Sequence, residues 1–207
     1  GYIYAQQGQD LYVNLFITSQ TTVEVNTDEV SPTAVTVAQN TRYPWDGNIR
    51  IAVEPAAPAH FTLRVRVPGW AQGTPVPSLL YRYRDGQQAA PQLTVNGVEA
   101  TIQLDKGYAV IDRTWQPGDA VELQLPMPVR RVETNGAVSE NRDKVAIERG
   151  PLVYCLEAID NDGKARGRAL PDAADFTVEW RPELLHGVNL VYAHSDGTKL
   201  AFVPYYA

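Results

Sequence analysis

Hydrophobic and polar positions alternate along most of this chain. In Phe61-Thr62-Leu63-Arg64-Val65-Arg66-Val67 the alternation is strict, as it is when one strand face meets a core and the other meets water. The same period runs through residues 11–17, 22–25, 48–53, 120–125 and 188–192. β-Branched and aromatic side chains fill these runs, which suits a pleated, half-buried surface. Asp46-Gly47, Asp85-Gly86, Asn96-Gly97, Pro117-Gly118-Asp119, Asp162-Gly163 and Asp196-Gly197 punctuate them with residues that tolerate positive φ. Leu93-Thr94-Val95, Asn96-Gly97 and the run from Val98 read as a hairpin. No stretch carries a sustained helical period; residues 171–175 and 182–185 are the best candidates, each for a turn or two. Short strands with no helices between them predict an all-β protein, built as antiparallel β-sandwich (jelly-roll-like) domains.

Two such domains are expected in tandem: residues 1–132, then residues 133–207, the second truncated at its C-terminus. Residues 133–143 are polar and read as the connecting loop, while residues 69–91 are rich in Gly and Pro and long for a hairpin loop. At 207 residues there is enough chain for two cores.

Charge narrows the partners. The net charge is -6, with no basic cluster beyond Arg130-Arg131 and the Arg82 and Arg84 that alternate with tyrosines, so nucleic-acid binding is not expected. No apolar run reaches the ~20 residues of a membrane-spanning helix, and no signal peptide is legible at Gly1-Tyr2-Ile3-Tyr4-Ala5. The compartment stays open.

Candidate chemistry is sparse. Glu24, Glu29, Asp112, Glu122, Glu148 and Glu157 are carboxylates of the kind glycoside cleavage uses in pairs, but nothing in the sequence brings two of them together, and a solvated strand face explains several. Three histidines, His60, His186 and His194, lack metal-binding spacing, and the single Cys155 has no thiol partner. Cys155 lies in the apolar run Leu152-Val153-Tyr154-Cys155-Leu156, where a small core residue with a raised pKa is expected. Asp160-Asn161-Asp162-Gly163 looks like the start of a calcium loop but lacks the downstream glutamate, so a turn is the better reading. Trp45, in Tyr43-Pro44-Trp45-Asp46-Gly47, and Tyr81 and Tyr83, in Tyr81-Arg82-Tyr83-Arg84, are candidate sugar-stacking or domain-interface residues.

Several segments, in order, resemble the C-terminal part of the β-L-arabinofuranosidase-like glycoside hydrolases, a family formerly known as a bacterial domain of unknown function. They are Gly1-Tyr2-Ile3-Tyr4-Ala5, Leu11-Tyr12-Val13-Asn14-Leu15, Tyr43-Pro44-Trp45-Asp46-Gly47 and Arg66-Val67-Pro68-Gly69-Trp70-Ala71, followed by Gly107-Tyr108-Ala109 and Trp115-Gln116-Pro117-Gly118-Asp119. Val145-Ala146-Ile147-Glu148-Arg149-Gly150-Pro151-Leu152-Val153-Tyr154 and Val203-Pro204-Tyr205-Tyr206-Ala207 complete the set.

The resemblance implies a longer enzyme: a helical (α/α) barrel with the active site, then two β-sandwich domains, with this chain cut from it at both ends. It implies a zinc-bound cysteine nucleophile upstream of Gly1, an acidic acid/base residue in the barrel, and release of L-arabinofuranose or a related sugar by retaining double displacement. No position here matches those residues. No catalytic, cofactor-binding or metal-binding residue is therefore expected on this chain, and zinc belongs to the missing catalytic domain. The expected partner is the chain's own upstream barrel, which it would brace. A glycan and a second copy of the chain are the other partners considered, corresponding to an autonomous carbohydrate-binding module and a structural dimerisation domain.

Overall fold

The computed structural model describes residues 2–27, 32–86, 89–195 and 197–206. The first strands are β1 (Tyr4–Gln7), β2 (Asp10–Val13), β3 (Ser19–Val25), β4 (Thr33–Thr41), β5 (Asn48–Pro55), β6 (Ala59–Arg66), β7 (Tyr81–Tyr83), β8 (Gln92–Val95) and β9 (Val98–Glu99). They are followed by β10 (Leu104–Asp105), β11 (Tyr108–Trp115), β12 (Asp119–Gln124), β13 (Val129–Thr134), β14 (Val145–Arg149), β15 (Leu152–Cys155), β16 (Asp175–Arg181), β17 (Val188–Ser195) and β18 (Thr198–Pro204). The protein is all-β and sandwich-like. Its chain forms two compact units, Gly1–Gly73 with Gln88–Pro126, and Thr74–Gln87 with Met127–Ala207.

The first unit holds a five-stranded sheet, β1-β2-β6-β11-β10, and a six-stranded sheet, β3-β4-β5-β12-β8-β9. Alternation in the sequence becomes alternation in burial: along β6, Ala59, Phe61, Leu63 and Val65 are buried while the residues between them are half-buried or exposed. Phe61 and Trp115 are fully enclosed, their rings stacked 5.7 Å apart, and the Trp115 indole N–H donates to the Phe61 carbonyl at 3.0 Å. That bond removes the cost of enclosing a polar atom in an apolar core. β2 and β6 pair in parallel, and the chain between them runs through three strands of the other sheet, since parallel neighbours need a long crossover.

Turn chemistry works by two routes. Asn96 and Gly97 both take positive φ, 53° and 76°, and close the β8–β9 hairpin. Gly47 is needed instead for closeness, because a Cβ there would lie 1.9 Å from the Leu125 carbonyl oxygen.

The second unit is one antiparallel sheet of seven strands, β16-β17-β18-β15-β14-β13-β7. Ile147, Tyr154, Val191, Ala193, Leu200 and Phe202 form its core, and Leu156, Leu170 and Ala174 from the β15–β16 connection pack on them. Within residues 69–91, Gly69–Gln72 form a 3-10 turn and Tyr81–Tyr83 form an edge strand of this sheet. The helical candidates at 171–175 and 182–185 are turns and strand starts; the short 3-10 segments fall at Gly69–Gln72 and Ser139–Asn141. Pro171 and Pro182 start tight turns there, and no apolar stripe follows to pay for a longer helix.

Candidate functional site

β13 presents successive residues to opposite faces of its sheet, and this organises a cluster of charged side chains in the second unit. On one face, Arg130 pairs across from Glu148 on β14, and Val132 pairs across from Tyr83 on β7. The Tyr83 hydroxyl donates to Glu148 Oε2 at 2.6 Å. The Arg130 guanidinium lies over the Tyr83 ring, 3.6 Å from its centroid, and donates to the Asp85 and Gly86 carbonyls at 3.0 and 2.6 Å. Tyr83 thus has its hydroxyl and one ring face engaged within its own unit.

The opposite face carries Arg131. Its guanidinium pairs with Asp85 at 3.0 Å, donates to the Ala174 carbonyl at 2.9 Å and lies 4.5 Å from the Phe176 ring centroid. Arg82 and Arg84 share Glu133 at 3.2 and 3.1 Å, and Arg84 reaches Asp172 at 2.7 Å. Arg82 is largely exposed, so that pair adds little; Arg131 is buried and contributes more.

Electrostatics follow from burial. Glu148 is held above the ordinary glutamate range because burial disfavours its charge, and this outweighs the Tyr83 hydroxyl and the Arg130 cation. The Tyr83 hydroxyl is raised for the same first reason, reinforced by its bond to Glu148. A carboxylate bonded to a tyrosine beneath an arginine resembles catalytic machinery, yet the contacts it makes here attach β7 and the residues after it to the sheet. This arrangement is suited to holding the 74–87 excursion in place.

Of the three aromatic candidates, Tyr81 and Tyr83 share one face of β7, Tyr81 opposite Thr134. Trp45 belongs to the first unit, in the turn between β4 and β5, where its backbone N–H donates to the Arg42 carbonyl at 2.8 Å. Its neighbour Tyr43 packs edge-on against Phe16. The structure therefore places Trp45 and the two tyrosines in separate units.

The remaining candidates disperse. Asp112 accepts from Thr62 at 2.9 Å, Glu122 pairs with Arg50 at 2.6 Å, and Glu24 is exposed on β3. The Glu157 carbonyl accepts from Asn161. Glu29, Gly1, Asp196 and Ala207 lie outside the described residues. The Cys155 thiol on β15 is pushed up by burial, then by the nearby Glu157 and Asp160, so the thiolate is disfavoured. Among the described residues no three His, Cys, Asp or Glu side chains gather as a metal site requires. Asp160-Asn161-Asp162-Gly163 is a turn, with Asp162 and Gly163 at positive φ. Its Asn161 is buried, bonding both the N–H and the carbonyl of Ala201 at 2.9 Å.

Sequence reasoning missed the partnership of Arg130, Arg131, Asp85 and Glu148. One signal was present: Tyr-Arg-Tyr-Arg alternates like a strand inside an otherwise loop-like segment.

Comparison with known proteins bears on all of this. A family model for the middle domain of glycoside hydrolase family 127 β-L-arabinofuranosidases matches residues 10–127, and one for the C-terminal domain of that family matches residues 129–207. A non-reducing end β-L-arabinofuranosidase of Bifidobacterium longum subsp. longum is 33% identical over 200 residues, which covers 92% of this chain and 26% of that protein. Two solved structures are similar over all of this chain. One is a family 127 β-arabinofuranosidase, with TM-score 0.90, 34% identity and 34% of its own chain covered. The other is a family 127 β-L-arabinofuranosidase from Geobacillus stearothermophilus, with TM-score 0.84, 33% identity and 32% covered. The chain spans about a quarter to a third of the length of these relatives.

Proposed function

This chain belongs to glycoside hydrolase family 127, supplying its middle and C-terminal domains, and from that premise we propose that it is the non-catalytic β-sandwich portion of a β-L-arabinofuranosidase-like hydrolase. Its role is to brace a helical-barrel catalytic domain carried elsewhere in the longer protein. The observation that carries this reading is the dispersal of the reactive groups. The one thiol is disfavoured as a thiolate, and Asp112, Glu122 and Glu148 are each engaged by a hydroxyl or a cation instead of facing a second carboxylate. The longer enzyme would release L-arabinofuranose or a related sugar, with its zinc and nucleophile outside this chain.

The purified chain is expected to give no turnover of an aryl β-L-arabinofuranoside, and turnover free of contaminating enzyme would overturn the proposal. Bracing has its own readout: deleting this region from the longer protein should lower the melting temperature of the remaining barrel. An unchanged melting temperature would remove that role. The rival reading, a free carbohydrate-binding module stacking sugars on Trp45, Tyr81 or Tyr83, is disfavoured at Tyr83, whose ring lies under Arg130.

A further inference from the structure

The outer face of the six-stranded sheet in the first unit carries a groove lined by four of its strands. It encloses about 360 Å³, within the roughly 300–1,000 Å³ of small-ligand clefts. Two rows of side chains in strand register border it. Asn40, Arg50, Glu122 and Thr94 stand opposite one another on β4, β5, β12 and β8, and Asn48, Gln124 and Gln92 form the second row on β5, β12 and β8. Four adjacent strands span about 14 Å at the usual inter-strand spacing, the scale of a short oligosaccharide.

We propose that this groove binds a neutral oligosaccharide along its length. Four primary amides, those of Asn40, Asn48, Gln92 and Gln124, are exposed, and among the described residues none makes a side-chain hydrogen bond. Each offers both a donor and an acceptor, matching sugar hydroxyls that donate and accept in turn. Asn in particular is disfavoured in strands, so strand propensity does not account for this concentration of amides.

Charge selects against other ligands. Arg50 and Glu122 pair at 2.6 Å and neutralise each other, leaving no net field for a phosphate or a polyanion. β4, β5 and β12 each have a strand paired on both sides, so the middle of the groove offers no free backbone edge to an extended peptide. Recognition falls to the side chains alone.

Isothermal titration calorimetry of the chain with arabino-oligosaccharides of three to five units tests this inference. Saturable binding is expected, reduced about tenfold or more in Gln92→Ala/Gln124→Ala, since two hydrogen bonds are lost. Gln20→Ala, an exposed amide on the same sheet but outside the groove, should leave the affinity unchanged. Thermal melts establish that each variant folds, and Asn40→Ala, also exposed, replaces the double variant if that one does not. No saturable heat with the native chain, or an affinity unmoved by the groove variants, would overturn the proposal. The result is separate from the turnover assay, because a chain without hydrolytic activity can bind or fail to bind.

Discussion

The two units of this chain bury different things. Of the twelve largest fully enclosed side chains among the described residues, eleven belong to the first unit and only Ile147 to the second. The buried polar residues divide the other way: Gln39 and Asp119 in the first unit, against Arg130, Arg131, Glu148, Asn161 and Asn189 in the second. Two facing sheets can enclose Phe61, Leu63 and Trp115 between them. A single sheet covered by a connecting loop encloses less apolar volume, and its loop and added edge strand are tied down by hydrogen bonds and ion pairs. The first unit is therefore governed by packing and the second by polar satisfaction, where losing one partner of a buried group costs most.

The largest expected effect separates two ion pairs of the same chemistry. Arg131→Ala removes a buried guanidinium that holds Asp85 and the Ala174 carbonyl, and should cost the second unit about 3 kcal/mol. Arg50→Ala breaks a shorter contact, 2.6 Å, but both partners are more than half exposed, and it should change stability by less than about 0.5 kcal/mol. Urea unfolding with hydrogen exchange resolved by unit reads both variants. Equal losses would mean that contact length, and not burial, sets the value of these pairs.

Next in size is the turn at Asn161. Asn161→Ala strips two bonds from the Ala201 backbone and should cost about 1–3 kcal/mol. Asp162→Ala, whose carboxylate is 98% exposed, should cost only the roughly 1 kcal/mol of holding alanine at a positive φ, and millimolar calcium should leave the melting temperature of the native chain where it was. A calcium-dependent rise abolished by Asp162→Ala would make the turn a metal loop after all.

These contrasts also mark where the sequence is legible. Period-two runs identified β5, β6, β12 and β17, and Asn96-Gly97 identified its hairpin, because both signals are local. The run 11–17 overreached: β2 stops at Val13, and Leu15 and Ile17 are exposed while Phe16 is buried, the reverse of what alternation from Leu11 requires. β7 is only three residues long and its partner β13 lies more than forty residues away, so no local window reveals it. The parallel direction of β2 against β6 is equally hidden, since side-chain period is the same in either direction. The Tyr83 and Glu148 contact depends on β7 and β14 both pairing with β13, which is why its residues could be named singly but not joined.

The smallest effect is a difference in pH response between two buried carboxylates, one in each unit. Burial pushes Asp119 up, but the Gln116 N–H at 2.9 Å, the Asn96 amide at 2.8 Å and nearby Arg113 outweigh it, so its pKa falls below the usual aspartate range. Glu148 has the Tyr83 hydroxyl and Arg130 against a larger burial penalty, and its pKa rises. The signs oppose each other. Asp119 contributes stability above its unfolded pKa that is lost as pH drops through its folded value; Glu148 binds more protons folded than unfolded, so stability falls as pH rises from its unfolded pKa through its folded one. Asp119→Asn should therefore flatten the acid limb of stability in the first unit. Glu148→Gln should remove a decline with rising pH in the second, while keeping a hydrogen-bonding group for Tyr83. Unit-resolved hydrogen exchange between about pH 3 and pH 7 spans the ordinary carboxylate range and both shifts. A decline with pH that persists unchanged in Glu148→Gln would mean that Tyr83 and Arg130 compensate the buried charge fully, and the contrast between the units would then rest on packing alone.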